Sequence, residues 1–569
     1  MVLTMAIGIS AVVSLSLTPM ICGRFLRATP PAPTGWPGRI DRTIERALMA
    51  VQRGYAVSLD WALIHRWFML LLFAATIAST VRLYGTVPKG FLPLQDTGVL
   101  IGSTLASPDV SFKAMTERQR AVVEVLLTDP AVDSVGSTIG ISSGFSALNR
   151  GSLNIGLKPL AERGVSSEAV IARLRPKLAK LGDVRTFLFS AQDLRGGART
   201  GGAQYQFVLI TENLAALREW TLKLEDRLRH IDGILDVTSD QDRAAPQLTL
   251  VIDRDAAARL GVSVAAIDNA LDNAYSQRQI STIYTQRNQY RVVLEIDPRL
   301  QTDPSQLSHL YVGATGGAQV PLSSVARFER KTAPAAVRHQ GQFPATTISF
   351  NLADGMALST ASAAVQQAVT DLRMPSDIRT EFAGNARYMQ DSLSSQPLLI
   401  AAGLVSIYIV LGVLYESLIQ PLTILSTLPS AGVGALLALL ITGTDLSIMG
   451  MIGIILLMGI VKKNAIMMVD FALEAQRELG MTPFEAIHAA CLERFRPIIM
   501  TTLAALLGAV PLALSFGTGA ELRRPLGIAI IGGLIVSQML TLYTTPVIYL
   551  ALERLSGGRR TAIRLAAAE

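Results

Sequence analysis

Apolar and polar residues are distributed along this chain in two different ways. Seven mostly apolar stretches, at 2–26, 67–87, 397–418, 422–441, 447–473, 497–516 and 526–552, are each about as long as a helix must be to cross a bilayer. Between the second and the third lies a polar region, 88–396, whose apolar residues fall into short runs. The pattern predicts a polytopic α-helical membrane protein that carries one large water-exposed region.

Inside that region the runs themselves alternate. Short β-rich segments at 99–104, 132–139, 152–157 and 184–189 are interleaved with helix-period segments at 111–128 and 166–181. The order β-α-β-β-α-β is that of a split βαβ, ferredoxin-like subdomain. A second such unit opens with a strand at 205–210, a helix at 214–230, strands at 234–239 and 247–252 and helices through Ala274, and resumes at 345–351, 359–372 and 378–382. Residues 279–327 interrupt it and read as an inserted subdomain of about 279–330, with a protruding hairpin of strands 280–284 and 290–296 joined by 285–289. The expected domains are therefore a span at 1–27, a linker at 28–66, a span at 67–87, an α+β region at 88–392, five spans within 393–555 and a tail at 556–569. The linker holds a proline-rich stretch, 30–37, and an amphipathic helix at 41–56, which suits either the inner membrane surface or an ordinary cytoplasmic position.

Charge supplies sidedness. The net charge of +7 and pI near 9.4 would also suit a nucleic-acid binder, but the basic residues cluster beside apolar runs, as topology signals do. Residues 24–66 hold seven arginines against three acids, which places them in the cytoplasm and places residues 88–396 on the outer side. Arg554, Arg559, Arg560 and Arg564 after the last span agree, whereas Arg523 and Arg524 do not. The first apolar run has no basic residue ahead of it, unlike a signal peptide, and this reads as the later part of a longer polypeptide.

Two cysteines, Cys22 and Cys491, and five scattered histidines form no ligand set, so neither a metal nor a cofactor is expected. The chain contains no G-x-x-x-x-G-K-[ST] loop and no Ser/His/Asp or paired-carboxylate arrangement, which argues against an ATPase or a hydrolase. What remains is charge inside the membrane. Lys462, Lys463 and Asn464 fall near the middle of the 447–473 run, where a lysine costs about 2.5–3.5 kcal/mol on insertion scales. Asp470 shares a helix face with Lys463 but lies two turns away, and Glu416, Asp445 and Glu521 stand at the ends of apolar runs. Either the lysines snorkel to water, or Lys463 is paired with a carboxylate from a helix outside this chain.

Arg494 and Thr501, seven residues apart, share a face of the next span and extend that polar set, while Arg496 suits an anchor at the cytoplasmic end. Small residues at Ala431, Ala435, Gly450, Gly453, Ala529 and Gly533 favour close packing of the helices that surround them. In the outer region the loop 140–151, GISSGFSALNRG, is expected to lie over a cleft or simply to connect two strands, with Phe145, Asn149 and Arg150 as its candidate contacts. A second glycine-rich stretch, RGGARTGG at 195–202, lacks the spacing of a phosphate loop.

The runs GIVKKNAIMMVDFALEAQ, RFRPIIMTTLAALLGAVPLALS, PLTILSTLPSAGVGALLAL, SQRQISTIYTQRNQYRVVLEIDPR and GFLPLQDTG closely resemble the resistance-nodulation-division (RND) multidrug efflux transporters, within them the MdtB/MdtC type. The resemblance covers nearly the whole chain. It implies the second half of an AcrB-like fold, helices six to twelve, with porter subdomains and a docking subdomain in the periplasm. It also implies a proton antiporter rather than an enzyme, in a homo- or hetero-trimer, with a periplasmic adaptor protein and an outer-membrane channel, and with hydrophobic or amphiphilic drugs as cargo. By motif, the family's relay lysine, arginine and threonine fall on Lys463, Arg494 and Thr501, with Asn464 and Lys462 as candidate support. Lys462 has no counterpart in many members. The aspartate pair that completes the relay belongs to the N-terminal half, and the loop with Phe145 resembles the family's switch loop. Two alternatives stay open: heavy-metal efflux on the same fold, against which the scattered Met115, Met356, Met374 and Met389 argue, and an inert or accessory half-transporter.

Overall fold

A computed structural model describes residues 2–25, 36–142, 145–193, 203–241, 245–301, 303–333, 336–353, 355–515, 517 and 519–566. They fall into two compact units, Met1–Pro93 with Asp391–Glu569, and Leu94–Gln390.

The chain opens with α1 (Val2–Phe25), α2 (Trp36–Ile64) and α3 (Arg66–Thr86). The amphipathic helix expected at 41–56 is thus longer, and its C-terminal part packs against other helices of this unit. Tyr55, Leu59, Ala62 and Leu63 are buried in one core with Phe495, Ile498 and Leu542. The Tyr55 hydroxyl donates to the Leu542 carbonyl at 2.9 Å, and its ring stacks on Phe495 at 4.6 Å. The first part of the proline-rich stretch, 30–35, lies outside the described residues.

The outer unit begins with β1 (Val99–Ala106), α4 (Phe112–Leu127), β2 (Val132–Ser142), β3 (Phe145–Leu157), α5 (Leu160–Arg163), α6 (Ser167–Ala179) and β4 (Val184–Ser190). The sheet order β2-β3-β1-β4 is that of a split βαβ. Ser111 and Ser166 cap the two long helices by accepting from the Ala114 and Ala169 N–H groups, and Leu100, Val122, Leu153 and Leu174 fill the space between sheet and helices. Residues 140–142 and 145–151 are not a free loop. They continue both strands of the β2–β3 hairpin, with a register shift between Ile139 and Gly140, where Gly140 takes φ +79°. Ladder hydrogen bonds to a paired strand outweigh the weak β-propensity of the glycines and serines.

The second subdomain comprises β5 (Tyr205–Ile210), α7 (Leu214–Arg229) and β6 (Ile234–Ser239), and later β13 (His339–Gln340), β14 (Phe343–Leu352), α10 (Leu358–Asp371) and β15 (Arg379–Ala383). β14 lies between β5 and β6, and β15 pairs with β5, which repeats the order of the first sheet. Between β6 and β13 come β7 (Ala245–Ile252), α8 (Arg254–Arg259), α9 (Val264–Tyr275), β8 (Arg278–Tyr284), β9 (Gln289–Leu294), β10 (Tyr311–Gly313), β11 (Gln319–Pro321) and β12 (Ala326–Ala333). The insertion therefore starts at β7 rather than at residue 279. β7 pairs with β12 from Ala245↔Ala333 to Ile252↔Ala326, and Ala257, Val262 and Ile267 share a core with Val312, Leu322 and Val325. The β8–β9 hairpin forms as expected and is closed by the Thr285 N–H donating to the Asn288 carbonyl.

Six helices complete the membrane unit: α11 (Asn385–Tyr415), α12 (Gln420–Leu425), α13 (Leu428–Ile441), α14 (Ile448–Glu478), α15 (Pro483–Ala513) and α16 (Ala520–Ala566). Together with α1 and α3 they provide seven stretches long and apolar enough to cross a membrane among the described residues, α12 and α13 counting as one that is interrupted at Ser426 and Thr427. α15 starts well before the apolar run at 497 because Thr482 and Glu485 form a capping box there. The small residues do bring backbones together. A Cβ on Gly434 would collide with the Gly532 carbonyl, one on Gly453 would lie 3.1 Å from the Leu526 carbonyl, and Ala431, Ala435 and Ala529 are buried in the same cluster.

Candidate functional site

Lys463 is residue 16 of the 31 in α14, so it stands about 22 Å from either end of the helix. It lies on the exposed face of the helix, together with Ile452, Leu456, Gly459 and Asp470. Lys462 is half-buried. Asn464, one position on and about 100° around the helix, is buried. Its amide N–H group donates to Thr502 Oγ1 at 3.1 Å and to Gln538 Oε1 at 3.1 Å, and the Thr502 hydroxyl donates to the same Gln538 oxygen at 2.7 Å. This three-way junction ties α14, α15 and α16 together at mid-depth. With Asn464 held inward, Lys463 must point outward.

The expected site residues are only partly gathered by this geometry. Thr501 precedes the junction residue Thr502, so it lies at the level of Lys463, and its hydroxyl donates to the Ile498 carbonyl at 3.1 Å. Arg494 lies over the Phe471 ring at 5.1 Å. Phe471 is eight residues beyond Lys463, so the guanidinium is about 12 Å further along the axis. Among the described residues no hydrogen bond or ion pair joins Lys463, Arg494 and Thr501, and the Nε atoms of Arg494 and Arg496 are buried without a hydrogen-bond partner. Gln538 was not among the residues expected from the sequence. The available signal was an amide in the middle of the 526–552 run, where an uncharged polar group is still costly to leave unpaired.

At the opposite end of α14 from Glu478, Asp445 lies in the turn that precedes the helix, against Gly90, and the Leu446 N–H donates to the Pro88 carbonyl at 2.8 Å. Burial pushes the Asp445 carboxyl above its ordinary value of 3.8.

In the outer unit Asn149 and Arg150 lie on β3. Asn149 donates to the Ala106 carbonyl at 3.3 Å, and Arg150 pairs with Leu105 of β1. The side chain of Phe145 and the stretch 195–202 lie outside the described residues.

The described residues thus combine a polytopic helical unit, with a lysine and an amide junction midway along α14, and a second unit of two split-βαβ subdomains with an insertion. Residues 1–553 match the AcrB/AcrD/AcrF family, and the chain belongs to it. Multidrug resistance protein MdtC of Escherichia coli strain UTI89 is 51% identical over 553 residues, which are 97% of this chain and 53% of that protein. MdtC of Escherichia coli O127:H6 matches with the same identity and coverage. The crystal structure of a heavy metal efflux pump (crystal form II) superposes with a TM-score of 0.80 at 25% identity, over 89% of this chain and 53% of its own. The chain thus spans about half the length of the relatives it matches.

Proposed function

We propose that the chain is the second half of the inner-membrane subunit of a proton-driven multidrug efflux pump. The observation that carries this reading is Lys463, at the midpoint of α14, on an exposed helix face and with no ion-pair partner among the described residues. A cation at that depth is expensive against lipid and suits a face covered by protein that brings a carboxylate. The aspartate pair of the other half of the family's length meets that need. Protonation of those aspartates releases Lys463, and deprotonation recaptures it, so that proton passage is converted into a change of contact between the halves. Thr501, level with Lys463, and Arg494, two turns beyond, line the way, while Asn464 fixes the rotation of α14 and Lys462 adds positive charge.

On this reading Leu94–Gln390 is periplasmic, in agreement with the arginines of 24–66 on the other side. Hydrophobic or amphiphilic drugs pass through the outer unit, near the β2–β3 hairpin that carries Phe145, Asn149 and Arg150. They leave through a periplasmic adaptor and an outer-membrane channel, from a homo- or hetero-trimer. Identity to MdtC at twice the level of the heavy metal pump favours drugs over metal ions. The burial of Met115 and Met389 points the same way.

Complementation tests the proposal. In a pump-deficient strain, drug tolerance should return when the chain is co-produced with the half that supplies the aspartates, and not with the chain alone. Tolerance to copper or silver in place of drugs would favour metal efflux, and no tolerance of any kind would favour an accessory role.

A further inference from the structure

The membrane unit buries a second set of polar side chains, away from Lys463. On α12 and α13 these are Gln420, Thr423, Thr427 and Ser430, all buried and spaced by three, four and three residues, hence on one face of the span. On α16 the matching line runs through Ser537, Thr541 and Thr545 to Glu553. The two lines are bonded to each other at both ends. Ser430 donates to Ser537 Oγ at 3.3 Å, and Gln420 Nε2 donates to Glu553 Oε2 at 3.4 Å. Gln538, beside Ser537, joins the line to the amide junction at Asn464.

Along this seam the hydrogen bonding is incomplete. A buried hydroxyl on a helix ordinarily donates to a carbonyl one turn back, as Thr427 does to Ile424 at 2.8 Å and Thr544 to Leu540 at 2.9 Å. Thr423 and Thr545, both fully buried, do not: their Oγ1 atoms have no hydrogen-bond partner among the described residues, nor do Gln420 Oε1 and Gln538 Nε2. Four unpartnered polar atoms therefore lie between the middle of the span and one end. Buried polar groups in folded proteins find a protein partner or an ordered water, and a bilayer offers no other solvent.

We propose that the seam between α12–α13 and α16 holds a file of water molecules that conducts protons between the Asn464 level and the end of the apolar span at Glu553. From Gln538 to Glu553 the helix advances 15 residues, about 22 Å. In each hop a hydronium gives one proton to the next oxygen, one O–H bond breaking as another forms, so a proton taken up at one end is released at the other with no further reactant. The conducting role rests on the proton-driven reading of Lys463; the presence of water does not.

The test has two arms. In the full chain in membrane vesicles, with Cys22 and Cys491 replaced by alanine, Thr423→Cys and Thr545→Cys should react with a small charged methanethiosulfonate, whose sulfur is attacked by hydrated thiolates with release of sulfinate, while Ile424→Cys, equally buried one residue away, should not. No reaction at 423 and 545, or equal reaction at all three, overturns the file. In the pump assembled with its complementary half, the Thr423→Val, Thr545→Val pair should lower transport at least tenfold at unchanged membrane yield; unchanged transport overturns the conducting role. If Lys463→Met transports normally while the cysteines still react, it is the proton-driven reading that has failed and not the water file.

Discussion

Lys463 and Asn464 are neighbours in the chain with opposite surroundings. One is exposed, and the other is locked by two hydrogen bonds to α15 and α16. The amide decides where the ammonium points. Gln538→Leu would remove the oxygen that accepts from both Asn464 and Thr502, leaving two buried donors short of a partner at about 1–3 kcal/mol each. The thermal midpoint of the purified chain is expected to fall by several degrees, and an unchanged midpoint would deny the junction its role. Asp445 makes a prediction of a different kind. Its folded carboxyl titrates above its ordinary value of 3.8, so the folded turn favours the protonated form. The stability it contributes is present below 3.8 and is lost as pH rises through the raised value. Asp445→Asn should therefore be stabilised relative to the parent near neutral pH and lose that advantage under acid conditions, as read from melting curves across the pH range. At this scale Lys463, Arg494 and Thr501 could be picked out because charge and hydroxyl groups in apolar runs are conspicuous. Gln538 left only a weaker sign, an uncharged amide in an apolar run, because its importance comes from partners on two other helices.

Elements were legible where their pattern is local and illegible where their partner is remote. All seven spans and the first β-α-β-β-α-β unit follow from runs within the chain. The start of the insertion does not, because β7 has the composition of any strand and only its pairing with β12, about eighty residues on, removes it from the second subdomain. The 140–151 stretch misled for a related reason: glycine and serine mark a loop unless a partner strand supplies the hydrogen bonds. Helix crossings give the element-scale prediction. A Cβ on Gly532 would overlap Ala438 and approach the Gly434 carbonyl to 2.7 Å, so Gly532→Val should force α13 and α16 apart. Membrane yield of folded chain should drop sharply, whereas Gly459→Ala, whose added carbon meets nothing within 4 Å, should be tolerated.

For the whole molecule, we propose that the described helices hold the cationic side of a charge relay whose carboxylates lie in the other half of the family's length. The architecture was legible because the membrane runs and the family's motifs cover nearly the entire sequence, while the route of protons away from Lys463 emerged only from which buried atoms lack partners. The most direct measurement is drug-dependent proton flux in vesicles that hold the pump assembled from this chain and its complementary half, comparing the parent with Lys463→Met. Methionine keeps most of the length of the side chain and removes its charge. The account predicts that drug binding survives and that coupled flux disappears; full flux in Lys463→Met would contradict it.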